Sequence, residues 1–589
     1  MTGAMAQGQT TAGMGDGVRR TGWRAFFGSL FAYASRRLLA AGGLVLLAGL
    51  LENVGLFVIL PLVALVIVGQ GAGGQFAWVE PLVAGWAPGG APLQLALLSA
   101  AILALLVLRA AVLTRRDMLV FDLSKGYVDH LRTAVMDAVV HASWPAIRQL
   151  EQARLIDAVT VNVARVGQVV QFFVQAGTAI ILSALFLGAA LAADWRLGTL
   201  LALFVALAAT FAALRLKRSY RTGSAVTAAS GHVMRETGRI MGGLKLARAY
   251  NAERAFTARF AASVADTRRL AREFQYQQMH MRRLFEIAGA ALALGLLYFG
   301  FAVLAVPAAQ LLVFAGIVLR LVPVLVPLFG ALQNLAFALT AYEAVEQLRH
   351  EALAHALPPE ADGPQARAAL PSAIALDHAR VAVGEHCLLE TGKLVLGPTG
   401  LVVLRGPSGA GKSTLVELLA GLYLPAAGAL RRGDAVLAHD GLRAWQRDIA
   451  LAPQEPFLFN ATLRENLCWP GANHGDGELW AALEAAQVAE LVRQLPHGLD
   501  EPLHDQGARL SGGERQRLCL ARTLLKPARI LLLDEAMSAL DPAREAAVLA
   551  MLRASAKDRL VVLASHSPLA EDYADRIIRV EAGRVLANS

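Results

Sequence analysis

Gly406 to Thr414 read GPSGAGKST, and farther along the chain LSGGERQRL (Leu510 to Leu518) precedes ILLLDE (Ile530 to Glu535). In the run Gly406, Pro407, Ser408, Gly409, Ala410, Gly411, Lys412, Ser413, Thr414, the glycines let backbone N–H groups close around phosphate oxygens. The helix expected after them turns its positive N-terminus to the same charge. Lys412 is placed to reach the β- and γ-phosphates of ATP, and Ser413 to ligate Mg²⁺. Asp534 ends a run of aliphatics, so its carboxylate is expected at the sheet's edge in the Mg²⁺ shell, and Glu535 beside it can polarise an attacking water. His566 follows the apolar run Leu560 to Ala564 and can contact a γ-phosphate or orient that water. The chemistry is hydrolysis of a nucleoside triphosphate. Each signal alone has a plainer reading, namely a glycine-rich turn, two surface acids and a structural histidine; their order in one chain favours the phosphate reading.

The elements that must position these groups are short apolar runs, Ile374 to Val383, Leu401 to Arg405, Ile530 to Leu533 and Leu560 to Ala564, alternating with helical stretches. That alternation predicts an α/β domain over residues 373–589. Before it, residues 350–372 turn to Ala, Pro and acidic residues without apolar period, as in a linker.

Residues 23–349 are different in kind. Apolar runs long enough to cross a bilayer, roughly 20 residues each, occur at Leu38 to Val68, Pro92 to Leu113, Val169 to Ala192, Leu197 to Leu216, Ile287 to Ala305 and Ala308 to Leu339, which predicts six spans. Trp23 to Ala34 mixes aromatic and basic residues as a helix lying in the interface does. Residues 1–22 lack the apolar core of a cleavable leader and read as a disordered tail. Arg36, Arg37, Arg115, Arg116, Lys217, Arg218 and Arg221 flank one set of span ends, whereas Gly69 to Gly90 carries no Lys or Arg, so both termini are expected in the cytosol. Arg196 is a small exception. Two long inner connections, Arg115 to Gln168 and Lys217 to Glu286, read as helices leaving the membrane and returning; each holds a candidate docking segment, Trp144 to Leu150 and Gly242 to Glu253.

Composition agrees. With 56% hydrophobic and 17% charged residues the chain is too apolar for an ordinary soluble protein. The formal charge of +9 suits loops held against anionic lipid, and no basic tract interleaved with aromatics points to nucleic acid. Cys387, Cys468 and Cys519 lack the close spacing that holds zinc and fit a reducing compartment.

Taken together, the motifs resemble the nucleotide-binding domain of ATP-binding cassette (ABC) transporters. LSGGERQRL is similar to the family's signature loop, Gln454 to its Q-loop, Ser538 to Asp541 to its D-loop and His566 to its switch histidine. The six spans with long inner loops resemble the membrane half of ABC exporters. The resemblance implies a membrane all-α six-helix transmembrane domain fused to an α/β P-loop NTPase domain, multi-pass in a bacterial inner (plasma) membrane. It implies Glu535, His566 and Gln454 as catalytic residues, and Ser413, Gln454 and Asp534 at Mg²⁺. It also implies that the signature loop of one copy, Ser511, Gly512, Gly513 and Glu514, closes on ATP held by the other copy. A homodimer with about twelve spans follows, or a pairing with a homologous half-transporter. Two departures stand out. Val383 occupies the position where the family usually stacks an aromatic on adenine, with His378 or His386 as possible substitutes, and Glu501 to Gly507 departs from the loop usual before the signature.

Inside the spans, Glu52, Asn53 and Arg320 are charged or polar where lipid would be costly, so they are expected to face a cavity with Gln168, Gln171, Gln175, Gln333 and Asn334. Prolines 61, 323 and 327 are expected to kink the spans. The expected function is ATP-driven export or flipping of an amphipathic substrate by alternating access. The alternatives are an importer on the exporter fold, a heterodimeric thiol or cofactor exporter half, and a non-transporting ATP-gated membrane regulator.

Overall fold

The computed structural model describes residues 22–45, 47, 91–306, 308–357, 373–384, 386–504, 507 and 509–586. Glu52, Asn53, Pro61 and most of the first expected span lie outside them. The chain forms two compact units: one takes residues up to Val140 and Leu150–Ala354, the other takes His141–Gln149 and His355 onward.

The first unit is helical. Residues 22–45 form a helix whose buried positions Phe26, Leu30, Ala34, Leu38, Ala41 and Val45 recur every three or four residues, one stripe of a helix. Phe26 meets Tyr127 and Tyr342 edge-on at ring distances of 6.0 and 5.2 Å. The stripe therefore packs on protein, while Phe31 and Leu39 on other faces of the helix are 46% and 73% exposed. There follow α1 (Ala91–Val140), then α2 (Trp144–Gln149), which belongs to the second unit, and α3 (Gln152–Asp157). One π-helical turn, Ala158–Asn162, joins α3 to α4 (Val163–Ala193), and α5 (Trp195–Ala249), α6 (Glu253–Ala302) and α7 (Ala308–Leu353) complete the unit.

Among the described residues, Gln152–Ala193, Trp195–Ala249, Glu253–Ala302 and Phe314–Leu353 are long and apolar enough to cross a membrane. The second expected span lies within α1. The 55 residues of α5 extend roughly 80 Å, far more than the roughly 30 Å of hydrocarbon in a bilayer, so this helix runs well past its apolar part. Asp194 separates α4 from α5 because its side chain caps the new helix, accepting from the N–H groups of Arg196 and Leu197 at 2.9 and 3.0 Å. Close helix crossings rest on small residues: a Cβ at Gly223 of α5 would lie 2.5 Å from the Phe337 carbonyl oxygen of α7. Helix α7 continues through Pro323 and Pro327.

The second unit is built on one sheet of order β6-β5-β1-β2-β11-β10-β4-β9-β8-β7, with β3 pairing β1. Its antiparallel part holds β1 (Ile374–Val383), β2 (His386–Thr391), β3 (Lys393–Leu396), β5 (Ala427–Arg432) and β6 (Ala435–Val436); its parallel part holds β4 (Gly400–Arg405), β7 (Ile449–Ala452), β8 (Ile530–Asp534) and β9 (Leu560–Ala564). β10 (Arg576–Glu581) pairs parallel to β4 and antiparallel to β11 (Arg584–Leu586). Strands β8 and β9 are buried along their whole length, as sheets covered on both faces require. One face packs on α8 (Lys412–Leu419); the other packs on α9 (Gly512–Leu525) and α10 (Pro542–Ser555). The carboxyl ends of β4, β8 and β9 thus lie side by side, where ligands of such sheets bind.

Candidate functional site

At the end of β4 the chain turns into α8 through the Gly406–Gly411 loop. Gly411 is the N-cap of α8 with φ +107°, a conformation strained for any residue with a Cβ. At Gly406 a Cβ would lie 2.0 Å from the Val580 carbonyl oxygen. Gly406 is thus restricted to glycine by close backbone approach and Gly411 by its dihedral.

Lys412, 4% exposed, points its Nζ at the carbonyl oxygens of Gly406 and Pro407 (3.0 and 3.1 Å) and at His566 Nε2 (2.9 Å). Burial lowers the affinity of its ammonium for the proton. Ser413 Oγ donates to Asp534 Oδ1 at 3.1 Å. Burial pushes the Asp534 carboxyl up, with the neighbouring Glu535 adding to the shift and the Ser413 hydrogen bond opposing it.

Glu535 follows β8 with φ +51°, a backbone state costing an L-residue roughly 1–2 kcal/mol. Three hydrogen bonds hold it there: Glu535 N–H donates to Ala564 O at 3.1 Å, and Glu535 O accepts from Gln516 Nε2 at 2.6 Å and from Ser538 N–H at 3.2 Å. The turned backbone aims the carboxylate between two groups distant in sequence. Gln454 Nε2 donates to Oε2 at 3.1 Å, and His566 Nε2 lies 3.2 Å from Oε1. That histidine nitrogen can accept from Lys412 or donate to Glu535, but not both at once. Arg405 Nη1 donates to His566 O at 3.0 Å and fixes its backbone.

The signature segment is placed differently. Ser511 caps α9 in a capping box: its Oγ accepts from Glu514 N–H at 3.3 Å, while the Glu514 carboxylate accepts from Ser511 N–H at 2.7 Å. Gly512 and Gly513 are the first residues of the helix. Among the described residues no hydrogen bond joins Ser511–Glu514 to the Gly406–Ser413 loop of the same chain. Glu514, expected at nucleotide, is engaged by this cap; its carboxylate satisfies the backbone amide that opens the helix. The residues that sequence reasoning missed are Gln516 and Arg405. Gln516 lies inside LSGGERQRL, and its position there was the available signal.

Of the two histidines proposed near adenine, only His386 faces Val383, as its direct partner across the β1–β2 hairpin. His378 lies five residues earlier in β1, at φ +47° beside an irregularity in the ladder, with its N–H donating to Gly392 O. Val383 is partly buried against the sheet's hydrophobic core, so an aromatic ring there would have support beneath it. Replacing Val383 with Tyr is expected to lower the KM for ATP severalfold, about 1 kcal/mol for a stacking face, and an unchanged KM would show that the base does not rest on this residue.

The first docking segment packs on the nucleotide unit. Arg148 donates to Tyr423 Oη at 3.0 Å and pairs with Glu417 at 3.4 Å, and Trp144 packs on the hydrophobic core there. The second segment, Gly242 to Glu253, forms the end of α5 and its turn into α6. A 610 Å³ cavity there is lined by Met241, Leu244, Phe256 and Phe260 among others, and Tyr250 is 75% exposed.

Within the helical unit, a 550 Å³ cavity is lined by Gln175, Gln275, Gln278, Arg282, Glu286, Pro323, Pro327 and Gln333 with apolar neighbours. A second, of 580 Å³, is lined by Arg116, Asp117, Gln171, Gln175, Pro323 and Pro327 with apolar neighbours. Gln171, Gln175 and Gln333 thus line cavities as expected, and Asn334 accepts from Gln278 at 2.7 Å. Gln168 is exposed and lines neither. Arg320 is likewise exposed and lies three residues before Pro323 in α7; Glu52 and Asn53, expected beside it, lie outside the described residues. Gln275, Gln278, Arg282 and Glu286 were missed because they lie in the polar part of α6, outside any apolar run.

Residues 39–322 match the family model described as the ABC transporter transmembrane region, and residues 389–538 that described as ABC transporter. The mycobactin import ATP-binding/permease protein IrtB of Mycolicibacterium thermoresistibile is 37% identical over 306 residues, 51% of this chain and 52% of that protein. An ATP-dependent lipid A-core flippase of Burkholderia pseudomallei is 40% identical over 198 residues, 34% of this chain and 33% of that protein. The chain thus spans between a third and about half the length of these curated relatives. A solved bacterial Atm1-family ABC exporter with ATP bound has a TM-score of 0.78 at 22% identity, covering 95% of each chain, and shares the fold.

Proposed function

Because this chain belongs to the ABC transporters, its membrane region and nucleotide-binding domain fused in an exporter fold, we propose that it hydrolyses ATP to move an amphipathic substrate across a membrane. The observation that carries this reading is the convergence of Lys412, Gln454, Glu535 and His566 at the ends of four strands, β4, β7, β8 and β9. Lys412 and the loop amides bind the phosphates, Glu535 polarises the water, and His566 and Gln454 orient both. The Ser413 hydroxyl and the Asp534 carboxylate, 3.1 Å apart, are hard oxygen donors of the kind Mg²⁺ takes beside phosphates, and the Gln454 carbonyl oxygen can join them. Mg²⁺ bound there supplies charge neutralisation for the phosphate oxygens.

The signature cap, engaged within its own helix and unconnected to its own phosphate loop, fits a second copy or a homologous half-transporter whose ATP it would complete. The apolar turn at Tyr250 fits the nucleotide domain of that partner. The Arg148 contact would carry closure to the helices. Exposed ion pairs contribute little stability, about 0.2–1 kcal/mol, so Arg148→Ala is expected to leave the melting temperature nearly unchanged while uncoupling substrate stimulation from ATP hydrolysis. Retained stimulation, measured as ATPase activity with and without substrate, would assign Arg148 to the surface only.

The glutamines and the Arg282–Glu286 pair (2.9 Å) offer polar contacts amid apolar walls, as an amphipathic molecule requires. The IrtB likeness supports import as a second reading. ATP-dependent transport in reconstituted liposomes with the nucleotide domains outside decides between them: uptake into the lumen means export from the cytosol, release of preloaded substrate means import, and no flux with either peptide or lipid substrates counts against transport.

A further inference from the structure

Where the apolar parts of α5 and α6 give way to charge, a 380 Å³ pocket is lined by Arg215, Arg218, Tyr276, His280 and Leu284 among others. Apolar sequence in α5 runs to Leu216 and is followed by Lys217, Arg218 and Arg221; in α6 it starts at Ile287, after Arg282 and Arg283. The pocket therefore lies at the depth where a bilayer's hydrocarbon meets its headgroups. Among the described residues no carboxylate lines it. Arg218 pairs with Glu273 at 3.3 Å, outside the lining, while Arg215 lies over the Phe211 ring at 5.2 Å. Tyr276 meets His280 edge-on at 4.2 Å and is 63% exposed, so the polar wall is open to the outside of the helices. Toward the apolar runs of α5 and α6, Leu214, Leu284 and Ile287 are 75%, 48% and 69% exposed, an apolar ridge beside the cationic wall.

We propose that this pocket binds the phosphate headgroup of an anionic phospholipid, held by Arg215 and Arg218 with its acyl chains along Leu214, Leu284 and Ile287. A basic pocket between helices at this depth satisfies both halves of such a molecule, whereas a free phosphate would use only the cationic wall. Met281 and Gln333 line this pocket and the 550 Å³ interior cavity alike, so its occupant bears on the wall of that cavity. The site does not depend on the ATPase reading.

The test uses the purified full chain in detergent, titrated with dioleoylphosphatidylglycerol or dioleoylphosphatidylcholine and followed by thermal unfolding and by native mass spectrometry of retained lipid. Two surface arginines are expected to make the anionic lipid bind about tenfold to thirtyfold tighter. In the Arg215→Gln, Arg218→Gln double variant the preference should shrink to within about threefold; in Lys557→Gln, an exposed charge lost far away in sequence, it should persist. Should the double variant not fold, Arg215→Gln alone is expected to weaken the preference about fivefold. Equal binding of both lipids, an undiminished preference in the folded variant, or the same stabilisation from millimolar inorganic phosphate without lipid would each overturn the proposal.

Discussion

Exchanging Glu535 for Gln is expected to reduce ATP turnover by about a thousandfold, within the range attributed to a positioned general base, while ATP binding persists. The amide keeps the size of the side chain and can still accept from Gln454, now 3.1 Å from Oε2, so the phosphate loop and Lys412 remain as they are. What is lost is the negative charge that draws a proton from water. The φ of +51° at this residue belongs to the backbone and is unaffected by the exchange. Single-turnover hydrolysis and equilibrium ATP binding on the same preparation check the result. Undiminished hydrolysis would refute the assignment of Glu535, and loss of binding as well as turnover would point to a collapsed site instead.

The second large effect concerns two copies acting together. Lys412→Ala removes the ammonium that meets phosphate, and Ser511→Arg replaces the small capping hydroxyl with a bulky cation; each alone is expected to abolish steady-state hydrolysis in a homodimer. Mixed together, the two variants are expected to regain about a quarter of the wild-type rate, because half of randomly formed symmetric pairs would be mixed and each would keep one complete site. The intact loop then comes from the Ser511 variant and the intact signature from the Lys412 variant. This follows from the capping box that occupies Ser511 and Glu514 within their own helix, leaving the glycine amides for a ligand held elsewhere. A mixture as inactive as its components would show that each chain completes its own site.

Burial pushes the Asp534 carboxyl up from its ordinary value. It also explains why sequence could locate the residue but not its electrostatics: the carboxyl's surroundings come from Ser413, Lys412 and Glu535, contributed by two strand ends. The same contrast holds for the cavity. Gln171 and Gln175 could be read from an apolar run interrupted by amides. Gln278 could not, since it sits in a polar stretch of α6 and reaches Asn334 only through the packing of α6 on α7.

The chain of amino acids alone determined the phosphate loop, the acidic strand end, the capped signature helix, the long apolar helices and the split between a helical and an α/β part. These depend on neighbours within a few positions, through backbone dihedrals, capping hydrogen bonds and periodic burial. Only the tertiary structure decided that Gln454, Glu535, His566 and Lys412 meet, that the segment around Arg148 joins the nucleotide unit, that His386 and not His378 faces Val383, and that Arg215 shares a pocket with His280. Those pairings join residues up to 275 positions apart; which strand lies beside which is settled by burying both faces of the sheet at once, a condition no local stretch contains.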